Sequence, residues 1–198
     1  MSVDELRRKI VAEFSQLWQY NDAAHGFEHF LNVELCAMDI NEKLQLGHDP
    51  KLILLTAFFH DLFVWSRHNH HEMSSLWIRT AKHSVLDDLT PIEREVVADA
   101  CMEHRASFRG QFSREFSELM NAADREQPDV HKIVHRAMAC NRGNCSRDEH
   151  VRLSVAHVKD KYGTGGYARY PELYLRAYGE ELEDMRRQVD ALRCGTED

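Results

Sequence analysis

The apolar residues of this chain recur at intervals of three and four positions, which is the period of an amphipathic α-helix. No stretch of the sequence alternates polar and apolar residues with the period of two that indicates a β-strand. The pattern predicts helices over about 6–18, 25–46, 50–65, 71–85, 91–104, 112–124 and 151–158, and a last one from about 171 onward. The sequence therefore predicts an all-α protein.

One of these predicted helices is apolar on nearly every side. Its residues from Leu52 to Phe59 are almost all large and hydrophobic, and the run ends at the polar pair His60 and Asp61. A helix without a polar face belongs at the centre of a bundle rather than at its surface. We therefore expect a helical bundle built around the segment 50–65.

The length and the charge of the chain limit the class of protein. With 198 residues and 43% hydrophobic residues, the chain fits one domain with a substantial core. It carries 25 basic and 33 acidic residues, a net charge of −8, which argues against a binder of nucleic-acid polymers or membrane surfaces. No apolar run is long enough to span a membrane, the N-terminus is polar, and the five scattered cysteines suit reduced thiols. These features predict a cytoplasmic location.

The charge is not distributed evenly. Residues 1–100 contain 9 basic and 16 acidic side chains, whereas residues 125–176 contain 10 basic and 6 acidic ones. A positive sector within an acidic chain suits a small anionic ligand better than a polymer. Solvated helix faces explain the same counts equally well.

Imidazole and carboxylate side chains lie on the apolar faces of several predicted helices. His29 shares a face with Val33 and Cys36, His104 follows Cys101 by three positions, and His60 and Asp61 end the most apolar helix. Asp124 follows Met120 by four positions and also faces inward. Burying such groups is costly unless something compensates, and a divalent cation bound between helices does so. Each residue taken alone is also explained as a hydrogen-bonded core residue.

Three short segments resemble motifs of the HD superfamily of metal-dependent phosphohydrolases. They are His25-Gly-Phe-Glu-His29, Ala57-Phe-Phe-His60-Asp61-Leu62 and Leu119-Met-Asn-Ala-Ala-Asp124-Arg125. The resemblance covers about residues 20–130. It implies a single helical domain over 1–198, with the motifs in this core and a C-terminal helical cap over about 131–198. It also implies one divalent metal ion, held by His29, His60, Asp61 and Asp124.

Members of this superfamily that hold a second metal ion have two further histidines. In this sequence the candidates are His70 and His104, and Asp61 would then contact both ions. His70 lies in the polar stretch Arg67–Glu72, which is equally well explained as a solvated loop. The resemblance leaves the metal open among Mn, Mg, Fe, Co, Ni and Zn.

The resemblance implies hydrolysis of a small phosphate ester, with a nucleotide as the favoured substrate and a metal-activated water as nucleophile. The candidates for moving protons are Asp61, Glu72 and His104. The candidates for holding phosphate are His25, Arg105, Arg125, Lys159 and Arg169. Glu72 is also explained as a helix cap or salt-bridge partner. Lys159 and Arg169 flank a glycine-rich loop that is not a nucleotide-binding Walker motif.

Other functions fit the same residues. HD-type proteins with six metal ligands include di-iron enzymes that use dioxygen, and a non-catalytic module would retain the metal only to dock a nucleotide. The chain lacks the Glu-Asp pair of the guanosine-polyphosphate hydrolases and the GYP extension of the cyclic-dinucleotide phosphodiesterases. Cys140 and Cys145 beside His135 and His150 do not have the usual spacing of a zinc site. The partner is expected to be a small anionic substrate, and a homodimer is left open.

Overall fold

The computed structural model describes residues 1–21, 25–139 and 145–193. Within these ranges the secondary structure consists of nine α-helices without a strand, so the predicted all-α class is confirmed. The helices are α1 (Val3–Trp18), α2 (Phe27–Lys43), α3 (Pro50–Phe59), α4 (His70–Thr80), α5 (Pro91–Glu103), α6 (Glu115–Ala123), α7 (Val130–Ala139), α8 (Arg147–Tyr162) and α9 (Glu172–Ala191).

The chain divides into two compact units. The first contains residues 1–126 and 170–177, and the second contains residues 127–169 and the chain from Tyr178 onward. Helix α9 contributes to both, and its backbone leaves the helical conformation at Tyr178, where φ is −137° and ψ is 20°. All candidate metal ligands belong to the first unit.

Helix α3 is the centre of the first unit. Every residue from Ile53 to Phe59 is buried, and the helix packs against α1, α2, α5 and α6. Asp49 accepts a hydrogen bond from the Lys51 backbone N–H, and Pro50 occupies the first turn, so the start of the helix is well capped. The central position of this segment agrees with its uniformly apolar sequence.

The end of α3 differs from the sequence prediction. The apolar pattern extends the helix to about residue 65, but the helix ends at Phe59 and the chain turns through His60 and Asp61. The pattern misleads here because Leu62 and Val64 are buried without being helical. This early end places two polar side chains at the tip of the most apolar helix.

The glycine-rich loop after α8 is held by contacts within the second unit. The Thr164 hydroxyl donates to Asp190 Oδ2 at 2.5 Å, and its backbone N–H lies 3.2 Å from the same oxygen. A Cβ atom on Gly166 would lie 2.5 Å from the Lys161 carbonyl oxygen, so the close approach of the backbone requires glycine. Gly166 thus has a structural explanation.

Two of the five cysteines, Cys140 and Cys194, lie outside the described residues. Cys36, Cys101 and Cys145, the described cysteines, are free thiols. Among the helices of the described ranges, none combines the length and the apolar character that crossing a membrane requires.

Candidate metal centre

The candidate ligands lie at the ends of five helical segments of the first unit. His60, His104 and Asp124 are the C-terminal cap residues of α3, α5 and α6, and Asp61 follows His60. His29 lies in the first turn of α2, and His70 is the first residue of α4. The packing of α2, α5 and α6 around α3, and of α4 on α5, brings these helix ends together.

One set of side chains, the first donor group, consists of His29, His60, Asp61 and Asp124. The Asp124 Oδ1 atom lies 3.3 Å from His29 Nε2 and 3.5 Å from His60 Nε2. The Asp61 Oδ2 atom lies 3.5 Å from His60 Nε2 and 3.9 Å from His29 Nε2. Two imidazole nitrogens and two carboxylate oxygens therefore face one another at the distances of neighbouring metal ligands.

A second set, the second donor group, consists of Asp61, His70 and His104. The other Asp61 oxygen, Oδ1, lies 3.2 Å from His70 Nε2 and 3.3 Å from His104 Nε2. The two Nε2 atoms are 3.3 Å apart. Asp61 thus presents one oxygen to each donor group. His70 is buried, so the stretch Arg67–Glu72 is not simply a solvated loop.

The donor atoms fit a divalent cation and are poorly explained without one. When each imidazole carries its proton on Nδ1, the buried atoms His29 Nε2, His60 Nε2 and Asp61 Oδ1 make no hydrogen bond, which is unusual in a folded protein. Two ligands that are each about 2.1 Å from one ion, at angles between 90° and 109°, lie about 3.0–3.4 Å apart. Both donor groups contain such separations. Imidazole with carboxylate suits several transition metals, so the donor set leaves the ion unidentified.

Hydrogen bonds to the second ring nitrogen orient all four imidazoles. The Nδ1 atoms of His60, His70 and His104 donate to backbone carbonyl oxygens three residues earlier, at 2.9, 3.2 and 2.7 Å. His29 Nδ1 instead donates to Glu126 Oε1 at 3.0 Å. An acceptor at Nδ1 places the proton there and leaves Nε2 free to bind a metal.

The carboxylates of the centre are ionised. Burial alone raises the pKa of Asp61, but the neighbouring His60 and His104 outweigh it and hold that pKa below its usual range. The adjacent His29 and His60 similarly outweigh burial and hold the pKa of Asp124 well below its usual range. The centre therefore presents negative charge in a buried place.

The histidines of the two donor groups differ in protonation. Burial lowers the pKa of His29, but the Asp124 and Glu126 carboxylates outweigh it and raise the pKa to about 9. Burial dominates at His70 and lowers its pKa to about 4. At His104, burial is outweighed by the Asp61 carboxylate, so the pKa of His104 is raised.

The predicted phosphate-holding residues have different surroundings. His25 lies at the edge of the first donor group, with Nε2 4.0 Å from Asp61 Oδ2. Arg105 follows His104 and donates to the His68 carbonyl oxygen at 3.2 Å. Arg125 donates to the Asn121 carbonyl oxygen in the preceding turn. Lys159 and Arg169 belong to the second unit.

Glu72, predicted as a proton-transfer residue, is exposed in the first turn of α4. The edge of the first donor group is the more accessible part of the centre, because the side chains of His25 and Asp124 are 19% and 21% exposed. Those of His70 and His104 are 9% and 4% exposed. A ligand from solvent reaches the first donor group more easily than the second.

Two supporting residues escaped the sequence analysis. Asn121 Nδ2 donates to the carbonyl oxygens of Glu103, His104 and Arg105 at 2.7, 3.0 and 3.1 Å, which fixes the end of α5. Glu126 supports His29 as described. Asn121 lies three positions before Asp124 and Glu126 two positions after it. Their proximity to Asp124 is the one feature of the sequence that distinguishes them, and it does not reveal what they contact.

Comparison of the chain with models of known protein families, with curated proteins and with solved structures finds no match in any of the three.

Proposed function

We propose that this protein is a metal-dependent phosphohydrolase that acts on a small phosphate ester, with a nucleotide as the favoured substrate. The observation that carries the proposal is the placement of Asp61, whose two oxygens face different pairs of buried imidazoles. This arrangement supports binding of two divalent cations that share one carboxylate. The order of the ligands along the chain, which resembles that of the HD superfamily, supports the hydrolytic chemistry.

A divalent cation in this centre supplies a water of lowered pKa as nucleophile and positive charge for the phosphate oxygens. The protein contributes the rest of the environment. Buried imidazoles, locked at Nδ1, hold the donor atoms in fixed places, and the burial limits competing water. The candidates for accepting and returning a proton remain Asp61, His104 and Glu72. Bound cations would occupy the donor atoms of Asp61 and His104, whereas Glu72 is exposed in the first turn of α4.

The open edge of the first donor group supports approach of the substrate from that side. Asp124 and His25 are the partly exposed side chains there, which supports a role for His25 as hydrogen-bond donor to a phosphate oxygen. We propose His25 and Arg105 as phosphate-holding residues. Glu72 remains a proposed proton-transfer residue, and Arg125, Lys159 and Arg169 remain proposed phosphate-holding residues, although Lys159 and Arg169 lie outside the span of the resemblance. Each is to be tested by substitution.

A di-iron oxygenase is the second candidate. The sharing of Asp61 between two groups that each contain two histidines favours it, because imidazole and carboxylate also suit iron. Iron in the purified protein together with substrate-dependent oxygen consumption distinguishes this enzyme from a hydrolase. Nucleotide binding without turnover of any ester identifies a binding module instead.

The decisive experiment combines elemental analysis of the purified protein with a metal-supplemented screen of phosphate monoesters, nucleotides and phosphodiesters. We expect one to two equivalents of a divalent metal and release of inorganic phosphate or a nucleotide. Asp61→Ala should abolish both the bound metal and the turnover. Asp87→Ala, which changes an exposed aspartate, is the matched control and should retain both. Undiminished turnover in Asp61→Ala would exclude the proposed centre.

A further inference from the structure

One of the four imidazoles is held in a different way from the others. His60, His70 and His104 donate from Nδ1 to a backbone carbonyl three residues earlier. His60 and His104 find such carbonyls because the last carbonyls of a helix have no partner within the helix. His29 lies in the first turn of α2, where no helical turn precedes it. Its Nδ1 atom donates instead to the carboxylate of Glu126, 97 positions later.

Glu126 has a backbone conformation that a residue with a side chain rarely adopts. Its φ is +59°, in the left-handed region, and among described residues other than glycine only Gln45 also has a positive φ, of 54°. Gln45 is exposed, whereas Glu126 is 6% exposed. The turn is closed by the Glu126 backbone N–H, which donates to the Ala123 carbonyl oxygen at 2.8 Å. Glycine would fit this turn with less strain, but it could not support His29.

Tyr174 fixes the same turn from the C-terminal part of the chain. Its hydroxyl donates to the Glu126 carbonyl oxygen at 3.0 Å, and the tyrosine is 1% exposed. Tyr174 lies in the part of α9 that belongs to the first unit, as Glu126 does. Glu126 thus accepts one hydrogen bond at its backbone carbonyl oxygen, from Tyr174, and one at its side-chain carboxylate, from His29.

We propose that Glu126 is a positioning residue of the metal centre, held by Tyr174, that orients His29 and strengthens its donation to a cation. A carboxylate on Nδ1 makes the imidazole a better donor than a neutral carbonyl does. The first donor group then binds its cation more tightly than its own two carboxylates alone would allow. This inference rests on the proposed metal-dependent function.

The test compares Glu126→Gly with Gln45→Gly. Both substitutions relieve a positive φ, but only the first removes the carboxylate. Zn²⁺ affinity is measured by competition with a chromophoric chelator, and the melting temperature of the metal-free protein is measured in parallel. We expect Glu126→Gly to weaken the tighter Zn²⁺ site by about 10- to 100-fold. We expect the metal-free Glu126→Gly protein to melt cooperatively above the assay temperature, so that lost affinity does not reflect unfolding, and Gln45→Gly to bind Zn²⁺ as the parent protein does.

Two further variants separate charge from shape. Glu126→Gln keeps an acceptor oxygen but loses the charge, so its loss of Zn²⁺ affinity should be smaller than that of Glu126→Gly. Tyr174→Phe removes only the hydroxyl and should weaken the same site by a few-fold. Zn²⁺ affinity of Glu126→Gly within twofold of the parent overturns the inference while leaving the metal centre intact. A parent protein that binds no Zn²⁺ or other divalent ion overturns both.

Discussion

The two donor groups share Asp61 but differ in charge, exposure and support. The first has a second carboxylate, Asp124, as a facing donor and a third, Glu126, behind His29. The second has only the shared carboxylate, and its imidazoles are held by neutral backbone carbonyls. Because negative charge strengthens cation binding, the difference indicates one tight, accessible site and one weaker, enclosed site.

The protonation of the two groups also differs. In the metal-free protein the raised pKa of His29, about 9, means that a cation must displace a proton from the first group at neutral pH. The lowered pKa of His70, about 4, means that this ligand is already neutral. The pKa of His104, in the second group, is raised as that of His29 is, so a cation displaces a proton from either group and His70 is the ligand that binds without losing one. The following predictions test this contrast.

The largest effect is expected from Asp61→Ala, because Asp61 is the one ligand common to both groups. We expect loss of both ions and a fall in turnover of at least ~10³-fold, since several kcal/mol of charge stabilisation disappear. Metal content by elemental analysis and phosphate release measure the two losses. Asp61→Asn provides a control of nearly identical shape, and full metal content in that variant would contradict the role of the carboxylate charge.

A pair of histidine variants separates the two groups. His29→Ala should lower the affinity of the tighter site for its ion by about 100-fold or more, because a ligand and its Glu126 support are lost together. His70→Ala should leave the affinity of the tighter site within a few-fold of the parent value and abolish binding at the weaker site. Calorimetric titration with Zn²⁺ resolves the two events. Equal weakening of both ions by both variants would show that the groups act as a single site.

Asn121→Ala tests the support of the second group through the end of α5. Its side chain is the donor to three carbonyl oxygens, so its loss should cost about 1–3 kcal/mol of unfolding free energy and weaken the second ion. Chemical denaturation and Zn²⁺ titration measure the two effects. Asn41→Ala is the control, because Asn41 bonds the backbone of His48 in the loop before α3. That variant should lose stability without losing metal affinity.

The smallest effects are expected in the pH dependence of metal-free stability. The pKa of His29 is about 9 when folded and about 6.5 when unfolded, so its contribution is complete below pH 6.5 and disappears as pH rises to 9. The pKa of His70 is about 4 when folded, so its neutral form favours folding above pH 6.5, and this advantage is lost as pH falls towards 4. With chelator present, the melting temperature of His29→Gln should fall less steeply towards alkaline pH than that of the parent protein. That of His70→Gln should fall less steeply towards acid pH. The reverse assignment would contradict the contrast between the groups.

The sequence predicted eight of the nine helices of the described ranges, because burial leaves a period of three to four in the apolar positions. It missed α7 (Val130–Ala139), in which only Ala137 is buried. The sequence also brought out His29, His60, Asp61, His104 and Asp124, since polar groups on apolar faces interrupt that period. Glu126 could not be predicted, because its role depends on a left-handed turn and on a partner 97 positions away. The end of α3 was missed because burial continues past Phe59 while the helix does not.

Three helices, α3, α5 and α6, terminate at His60, His104 and Asp124. Each such terminus carries roughly half a unit of negative charge from aligned peptide dipoles. The N-termini of α2 and α4, beside His29 and His70, offset part of that charge, so the repulsion of an anionic ester comes mainly from the aspartates. Under the proposed function, bound cations reverse this repulsion, and we expect metal to enter before substrate.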